Sequence, residues 1–204
     1  MLSEKQIEAN KQRYLDLIES LEMSDESKDQ FLSWLNDSDF FEAPASTKYH
    51  GAYKGGLCEH SLQVYDNLVN INNQEGKKVN YTDTTLKLVA LLHDISKTNF
   101  YELYFRNVKN EITNQWEKVP EYRIRDNNNR FIFGNHEQNS EFIAHTFFPL
   151  SAEESCAILH HHGGMGHDSS QVDLTPIYNK YSLCCMLHVA DLLACYIDQK
   201  IVNE

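Results

Sequence analysis

Apolar residues recur at intervals of three and four along most of this chain, which is the spacing of one face of an α-helix. At the N-terminus, Ile7, Tyr14 and Ile18 share such a face and follow a Ser3-x-x-Gln6 capping box. The pattern predicts helices over about 4–22, from Ser24, over 57–73, from Thr82 or Asp83 to His93, over 135–147, from Ser151 to His162 and over 178–199. The last of these is apolar almost all round, as in a helix at the centre of a fold.

One segment departs from helical spacing. Within residues 98–135, Tyr101, Leu103 and Phe105 alternate with polar residues, which is typical of a β-strand with one buried face. The same alternation returns at Tyr122 and Ile124 and again at Phe131 and Phe133, and the turn candidates are Asn110 to Asn114 and Asn127 to Asn129. We therefore predict an all-α helical bundle with a small β-hairpin insertion at about 98–135.

Length and composition indicate one globular domain with at most a small appendage, because the chain has 204 residues and 41% hydrophobic residues. We expect residues 1–42 to form an N-terminal helical extension packed on a domain of residues 43–204. No apolar run approaches the roughly 18 residues that cross a bilayer, and the polar N-terminus does not resemble a signal peptide. Five cysteines without a C-x-x-C pair are typical of reduced thiols, so we expect a cytoplasmic protein.

The charge of the chain narrows the classes of ligand. Thirty acidic residues against 18 basic ones give a net charge of −12, and such a field repels polyanions at long range. Long nucleic acid is therefore an improbable partner, whereas a small phosphorylated ligand held by a local cation is compatible. Within 98–135 the basic residues, Arg130 among them, outnumber the acidic ones by one, which is more typical of a solvated hairpin than of a binding patch.

Ionisable residues interrupt the apolar faces of the predicted helices. His60, the adjacent pair His93-Asp94, His161 and Asp191 all lie at positions that should be buried. Burying such groups costs several kcal/mol unless something pairs with them, roughly 2–7 kcal/mol even for a neutral polar group. A bound cation ligated by several of these side chains accounts for all of them at once.

Five short elements then occur in a fixed order. They are Gly55-Gly56-Leu57-Cys58-Glu59-His60-Ser61, Leu91-Leu92-His93-Asp94-Ile95-Ser96-Lys97, Gly134-Asn135-His136-Glu137, Ile158-Leu159-His160-His161-His162-Gly163 and His188-Val189-Ala190-Asp191. This succession resembles the HD-domain metal-dependent phosphohydrolase superfamily, in the subset with additional histidines between the H-D pair and the last aspartate. The resemblance spans about residues 50–198.

The resemblance implies a helical bundle whose centre holds one or two divalent metal ions. It suggests His60, His93, Asp94 and Asp191 as the core ligands, with His136 and His161 completing a second site. His161 continues an apolar line and is preferred over His160 and His162, of which His162 is the alternate ligand and a candidate for contact with substrate. His50, His145, His167 and His188 are interpreted as structural or solvated.

The ligand types suggest which ions and which chemistry to expect. Imidazole and carboxylate together suit Mn, Fe, Zn or Ni better than Mg, and such ions lower the pKa of bound water toward neutrality. We expect Asp94 to bridge two ions and orient the water. Lys97 is placed to meet a phosphate oxygen or, alternatively, to act as a cation at a helix C-terminus. Arg106 of the insertion is a candidate phosphate contact at the rim.

Three functions remain open from the sequence. The first is a phosphohydrolase (phosphomonoesterase or phosphodiesterase) acting on a small nucleotide or related phosphate ester. The second is a 3′-to-5′ exonuclease on single strands, because Gly-Gly-Leu-x-Glu-His and His-His-Gly are similar to elements of HD-domain exoribonucleases as well as of small stand-alone HD proteins. The chain departs from the resemblance in two places: an H-D-I-G-K-type sequence here has Ser96 for the glycine, and no nucleic-acid-binding β-barrel is predicted ahead of the domain. The second departure weakens the exonuclease reading. The third is a non-catalytic module that binds a nucleotide or a metal.

Overall fold

The computed structural model describes residues 1–74, 79–126, 131, 134–163 and 173–199. Eight α-helices and one two-stranded antiparallel sheet lie in these residues. Their bounds are α1 Glu4–Glu19, α2 Asp25–Asn36, α3 Gly56–Asn72, α4 Asp83–Leu92, β1 Tyr101–Lys109, β2 Trp116–Ile124, α5 His136–Phe147, α6 Ala152–Leu159, α7 Thr175–Lys180 and α8 Ser182–Leu193. The predicted all-α bundle with a hairpin insertion is thus confirmed. No described helix has the length and apolar character needed to cross a membrane.

Local capping signals set the start of most helices. The boxes at Ser3 and Ser151 both form, and a further box at Asn135 opens α5. Each satisfies backbone N–H groups that the first helical turn leaves without partners. α3 has no such cap and begins instead after the left-handed Gly55.

The start of α3 is fixed by a close approach of two glycines. A methyl group on Gly56 would lie 2.0 Å from the carbonyl oxygen of Gly51, so position 56 has no room for a side chain. The contact therefore fixes the start of α3 relative to the loop over 37–55, and His60 lies about one turn into the helix.

Two predicted helices in the second half of the chain differ from the observed ones. The predicted helix from Ser151 to His162 ends at Leu159, and its last residues form a turn instead. The predicted helix over 178–199 is divided at Tyr181, whose backbone is extended and whose ring packs on the core. Beyond α8 the chain widens into a π-helical turn at Ala194–Asp198. The predicted loop over 163–177 also ends early, because α7 starts at Thr175 with Pro176 in its first turn.

The insertion is a regular antiparallel hairpin. Tyr101 pairs with Ile124 and Lys109 with Trp116, and the predicted turn at 110–114 forms, with Asn114 in the left-handed region. Phe131 is not in a strand, whereas Asn127 to Asn129, Arg130 and Phe133 lie outside the described residues. At the root, Arg125 forms an ion pair with Asp39, which ties the hairpin to the loop before α3.

The two N-terminal helices share one core with the rest of the chain. Tyr14 and Ile18 of α1 are fully buried, as are Phe31 and Leu35 of α2. The Tyr14 hydroxyl donates to the carbonyl oxygen of Leu91 at 2.9 Å, close to the H-D pair. These contacts pack α1 and α2 against the other helices, and the division into residues 1–42 and 43–204 stays a prediction.

Phe31→Ala is expected to lower the free energy of unfolding by about 3–5 kcal/mol. The ring is fully buried and packs edge-on against Phe147 and Phe148, so its removal leaves a cavity where α2 meets the domain. Phe105→Ala serves as the control, since that ring is 60% exposed, and should change stability by less than about 0.5 kcal/mol. Urea unfolding followed by circular dichroism measures both. A Phe31 variant as stable as the control would show that α2 does not belong to the cooperative core.

Candidate metal centre

Four side chains from three helical segments form a first ligand group. His60 extends from α3, His93 and Asp94 directly follow α4, and Asp191 extends from α8. His60 Nε2 lies 3.2 Å from His93 Nε2 and 3.1 Å from Asp191 Oδ1. Asp94 Oδ2 lies 3.6 Å from His60 Nε2 and 3.5 Å from His93 Nε2. All four residues are buried, so side chains distant in sequence converge on one point.

A second ligand group lies on the other side of Asp94. Its Oδ1 atom is 3.6 Å from His161 Nε2 and 4.0 Å from His136 Nε2. His136 begins α5, and His161 and His162 follow α6. Donor atoms of these three histidines all lie within 4.8 Å of one another. Asp94 thus directs one carboxylate oxygen toward each group.

Buried polar atoms without partners show that these groups fit a bound cation. Neither Asp94 Oδ1 nor His161 Nε2 forms a hydrogen bond, although each is inaccessible to solvent. Leaving such atoms unsatisfied costs roughly 1–3 kcal/mol each. Both atoms are of types that coordinate divalent transition metals, and mixed imidazole and carboxylate ligand sets are typical of such ions.

Backbone carbonyls fix how two of the histidines are protonated. His93 Nδ1 donates to the carbonyl oxygen of Ala90 at 2.8 Å, and His161 Nδ1 donates to that of Ile158 at 2.7 Å. Because a carbonyl can only accept, Nδ1 carries a proton in both rings, and Nε2 is the nitrogen that faces the group. Burial also lowers the pKa of His93 to about 3, so its ring is neutral at pH 7 and able to ligate.

Lys97 forms an ion pair with the carboxylate that both groups share. Its Nζ atom lies 2.6 Å from Asp94 Oδ2, and both side chains are buried. Burial opposes the charge on Asp94, but Lys97 and His93 outweigh it and hold the pKa of the carboxyl well below its usual range. Asp94 is therefore ionised, as a metal ligand must be.

Glu137 is a buried carboxylate that holds two imidazoles of the second group. Its Oε2 atom lies 3.1 Å from His136 Nδ1, and its Oε1 atom lies 3.3 Å from His162 Nδ1. His136 Nε2 and His162 Nδ1 are themselves 2.8 Å apart. Sequence reasoning missed this role, although Glu137 stands beside His136 in one of the five elements. Only the folded chain shows that it also reaches His162.

The serine that replaces the usual glycine after the H-D pair has a structural partner. Ser96 Oγ donates to the carbonyl oxygen of His136 at 2.8 Å, and Ser140 Oγ donates to Ser96 Oγ at 2.9 Å. These bonds connect the turn that carries Asp94 to the first turn of α5, so Ser96 helps to set where His136 lies relative to Asp94.

A cavity of about 710 Å³ lies over the second ligand group. The ionisable side chains His50, Lys97, His136 and His162 are among its lining residues. Its remaining lining is largely aromatic or apolar, with contributions from Tyr49, Phe100, Tyr101, Ile124, Phe131 and Tyr196. The volume is within the usual range for small-molecule sites, about 300–1,000 Å³.

The other sequence candidates divide into several cases. Arg106 does not line the cavity, and its guanidinium pairs with Glu121 on the hairpin; its contact with phosphate at the rim stays a prediction. His160 caps α6, whereas both His161 and His162 reach the second group.

Three further histidines were candidates for structural or solvated roles. His188 donates to the carbonyl oxygen of His161 at 2.6 Å, which agrees with a structural role. His145 is largely exposed beside Glu141, and His167 lies outside the described residues.

His50, for which the sequence predicts a structural or solvated role, lies beside the first group. Its ring centroid is 4.9 Å from that of His60, and burial lowers its pKa to about 3. With His60 and Cys195 it forms a further set of donors within 4.8 Å of one another. The sequence carried no signal for this, because His50 lies in a loop without periodicity.

Comparison with protein families decides which class this geometry represents. A family model described as HD domain matches residues 57–194, more than half of the chain. The chain belongs to the HD domain family. Comparisons with curated proteins and with solved structures give no match. The HD domain suggests metal-dependent phosphohydrolase activity in general, and the His and Asp groups described above are the residues that could hold its metal.

Proposed function

We propose that this HD domain is a metal-dependent phosphohydrolase acting on a small nucleotide or related phosphate ester through metal-activated water. The observation that carries the proposal is Asp94, whose two carboxylate oxygens face two separate sets of imidazoles. A carboxylate in this position can bridge two cations.

The residues divide into two sets of proposed ligands. His60, His93, Asp94 and Asp191 would hold one ion, and Asp94, His136 and His161, with His162 as the further candidate, would hold another. Mn, Fe, Zn or Ni suits these donors. A bound ion of this kind supplies hydroxide at neutral pH and offsets negative charge on the phosphoryl group.

Lys97 and the cavity supply the proposed contacts to substrate. Lys97 lines the cavity and already faces Asp94, so its ammonium can exchange that partner for a phosphate oxygen. Hydrolysis adds water to phosphorus, breaks the bond to the ester oxygen and leaves a proton on that oxygen. His162 also lines the cavity and is half-buried, which supports it as the further proposed contact to substrate.

The cytoplasmic location that we expect is compatible with the state of the thiols. All five cysteines are free, as expected in a reducing compartment. Cys58 and Cys184 are buried in the core. The location remains part of the proposal.

Removal of metal is expected to abolish hydrolysis and lower the melting temperature. A ligand present at about a thousand times its dissociation constant stabilises the folded state by about 4 kcal/mol, and chelation removes that contribution. The measurement is elemental analysis of purified protein, then hydrolysis of mononucleotides and generic phosphate esters after chelation and after adding back Mn²⁺, Fe²⁺, Zn²⁺ or Ni²⁺. Tight ion binding without turnover on any of these substrates would instead indicate the non-catalytic module.

A further inference from the structure

The two faces of the hairpin differ sharply in chemistry. Side chains alternate along each strand, and the register places every residue. We call one side the cavity-side face; it comprises Tyr101, Leu103, Phe105, Asn107 and Lys109 of β1 with Trp116, Lys118, Pro120, Tyr122 and Ile124 of β2. Tyr101 and Ile124, paired at the root, line the cavity. The face is therefore a continuation of the cavity wall.

The cavity-side face combines exposed apolar side chains with positive charge. Leu103, Phe105, Trp116 and Ile124 are 54%, 60%, 71% and 51% exposed. Lys109 and Lys118 stand at its outer end, and none of its ten residues is acidic. Large side chains so exposed and so close together on one surface usually mark a binding site.

The opposite face carries the acidic residues of the strands. Glu102 pairs with Arg123, and Glu121 pairs with Arg106. Glu117 accepts a hydrogen bond from Asn110. Charge on that side is largely balanced, whereas the two lysines of the cavity-side face share their surface with aromatic rings. In a chain of net charge −12, this separation creates a local site for an anion with apolar parts.

We propose that the cavity-side face binds a short single-stranded oligonucleotide whose terminal phosphate ester reaches the metal centre. Every base offers a flat ring that stacks on aromatic side chains, and lysines along the same groove contact the backbone phosphates. Each strand has nine residues, a length of about 30 Å, so the face accommodates several nucleotides beyond the one in the cavity. The inference rests on the proposed function and extends its substrate from a single nucleotide to a short strand.

The charges favour a strand over a second copy of this chain. A symmetric dimer through this face would bury the same patch of both subunits in one interface, and the face offers the lysines of either copy no acidic partner. Long nucleic acid is disfavoured because the rest of the chain is acidic and repels it. A short strand confined to the hairpin satisfies both conditions.

The test measures affinity as a function of strand length. Fluorescently labelled oligothymidylates, from one nucleotide to about six, are titrated with the full chain in the presence of a chelator, so that no cleavage occurs. Affinity should rise by at least about tenfold from the mononucleotide to the longest strand. Phe105→Ala and Trp116→Ala should each remove much of this gain, by about fivefold or more. Val119→Ala on the opposite face is the matched control and should leave it unchanged.

Salt dependence gives an independent reading of the same contacts. Each of Lys109→Ala and Lys118→Ala should lower the slope of log affinity against log salt by about 0.7. Affinity that does not grow with length, or that is insensitive to all four variants, overturns the proposal. Self-association measured by analytical ultracentrifugation and lost in Trp116→Ala would assign the face to a second copy and overturn it as well.

The two proposals fail in different ways. Metal-stimulated hydrolysis of small esters without any length-dependent affinity would overturn the strand site and leave the phosphohydrolase standing. Length-dependent binding without hydrolysis of strand or small ester in any metal would overturn the phosphohydrolase and leave the strand site standing.

Discussion

Asp94→Asn is expected to reduce metal-stimulated hydrolysis by about a thousandfold or more. Asparagine keeps the shape of the side chain but cannot carry the negative charge that two adjacent cations require. Asp94 Oδ1 and Oδ2 face different imidazoles, so the substitution weakens both proposed ion sites at once. Elemental analysis should show fewer ions per chain, alongside the lost turnover.

The control for this substitution is Asp29→Asn, which makes the same chemical change at an exposed position of α2. It should retain full activity and metal content. Because Asp94 also pairs with buried Lys97, the variant must first be shown to be folded by its circular dichroism and unfolding transition. A folded Asp94→Asn protein with the activity of the control would refute the assigned role of this carboxylate.

Glu137→Gln is expected to weaken binding at the second ligand group by about 10–100-fold. The carboxylate can accept hydrogen bonds from His136 Nδ1 and His162 Nδ1 together. An amide has one acceptor oxygen and a donor nitrogen, so it cannot accept from both rings. One of the two Nδ1–H groups then loses its carboxylate acceptor, so that ring is no longer held with its Nε2 lone pair toward an ion. Competition with a chelator of known affinity measures the loss.

The matched control is Glu141→Gln, one turn further along α5. Glu141 also lies beside a histidine, at 3.6 Å from His145 Nδ1, but that ring is exposed. ¹⁵N NMR of the metal-free protein provides a reading that does not depend on activity. The His136 and His162 signals should report a proton on Nδ1 in the unmodified protein and change in Glu137→Gln alone. Identical signals in both proteins would count against a positioning role for Glu137.

Local sequence signals predicted the elements that depend on neighbouring residues. Ser3 and Ser151 open helices because their side chains satisfy the N–H groups three residues on. The alternation at Tyr101, Leu103 and Phe105 identified the hairpin for a similar reason, since strand faces follow from the backbone itself. The H-D pair could be predicted as part of a site because ionisable residues on an apolar helix face are costly to bury unless a partner or an ion compensates them.

Features decided by distant contacts were beyond the sequence. Glu137 gains its role only when the turn after α6 brings His162 against α5. The interruption of the last helix at Tyr181 depends on where its ring finds room in the core. In each case the determining partner is far away in the chain or set by packing.

The contact between Gly51 and Gly56 limits how this chain can vary. If residues 49–56 were randomised and folded variants selected, position 56 should return glycine in nearly every clone, because even a methyl group there meets the Gly51 carbonyl oxygen at 2.0 Å. Tyr49, which is 75% exposed on the cavity lining, should accept many residue types. Diversification of substrate preference therefore has to use the outer part of this loop and leave its inner end intact.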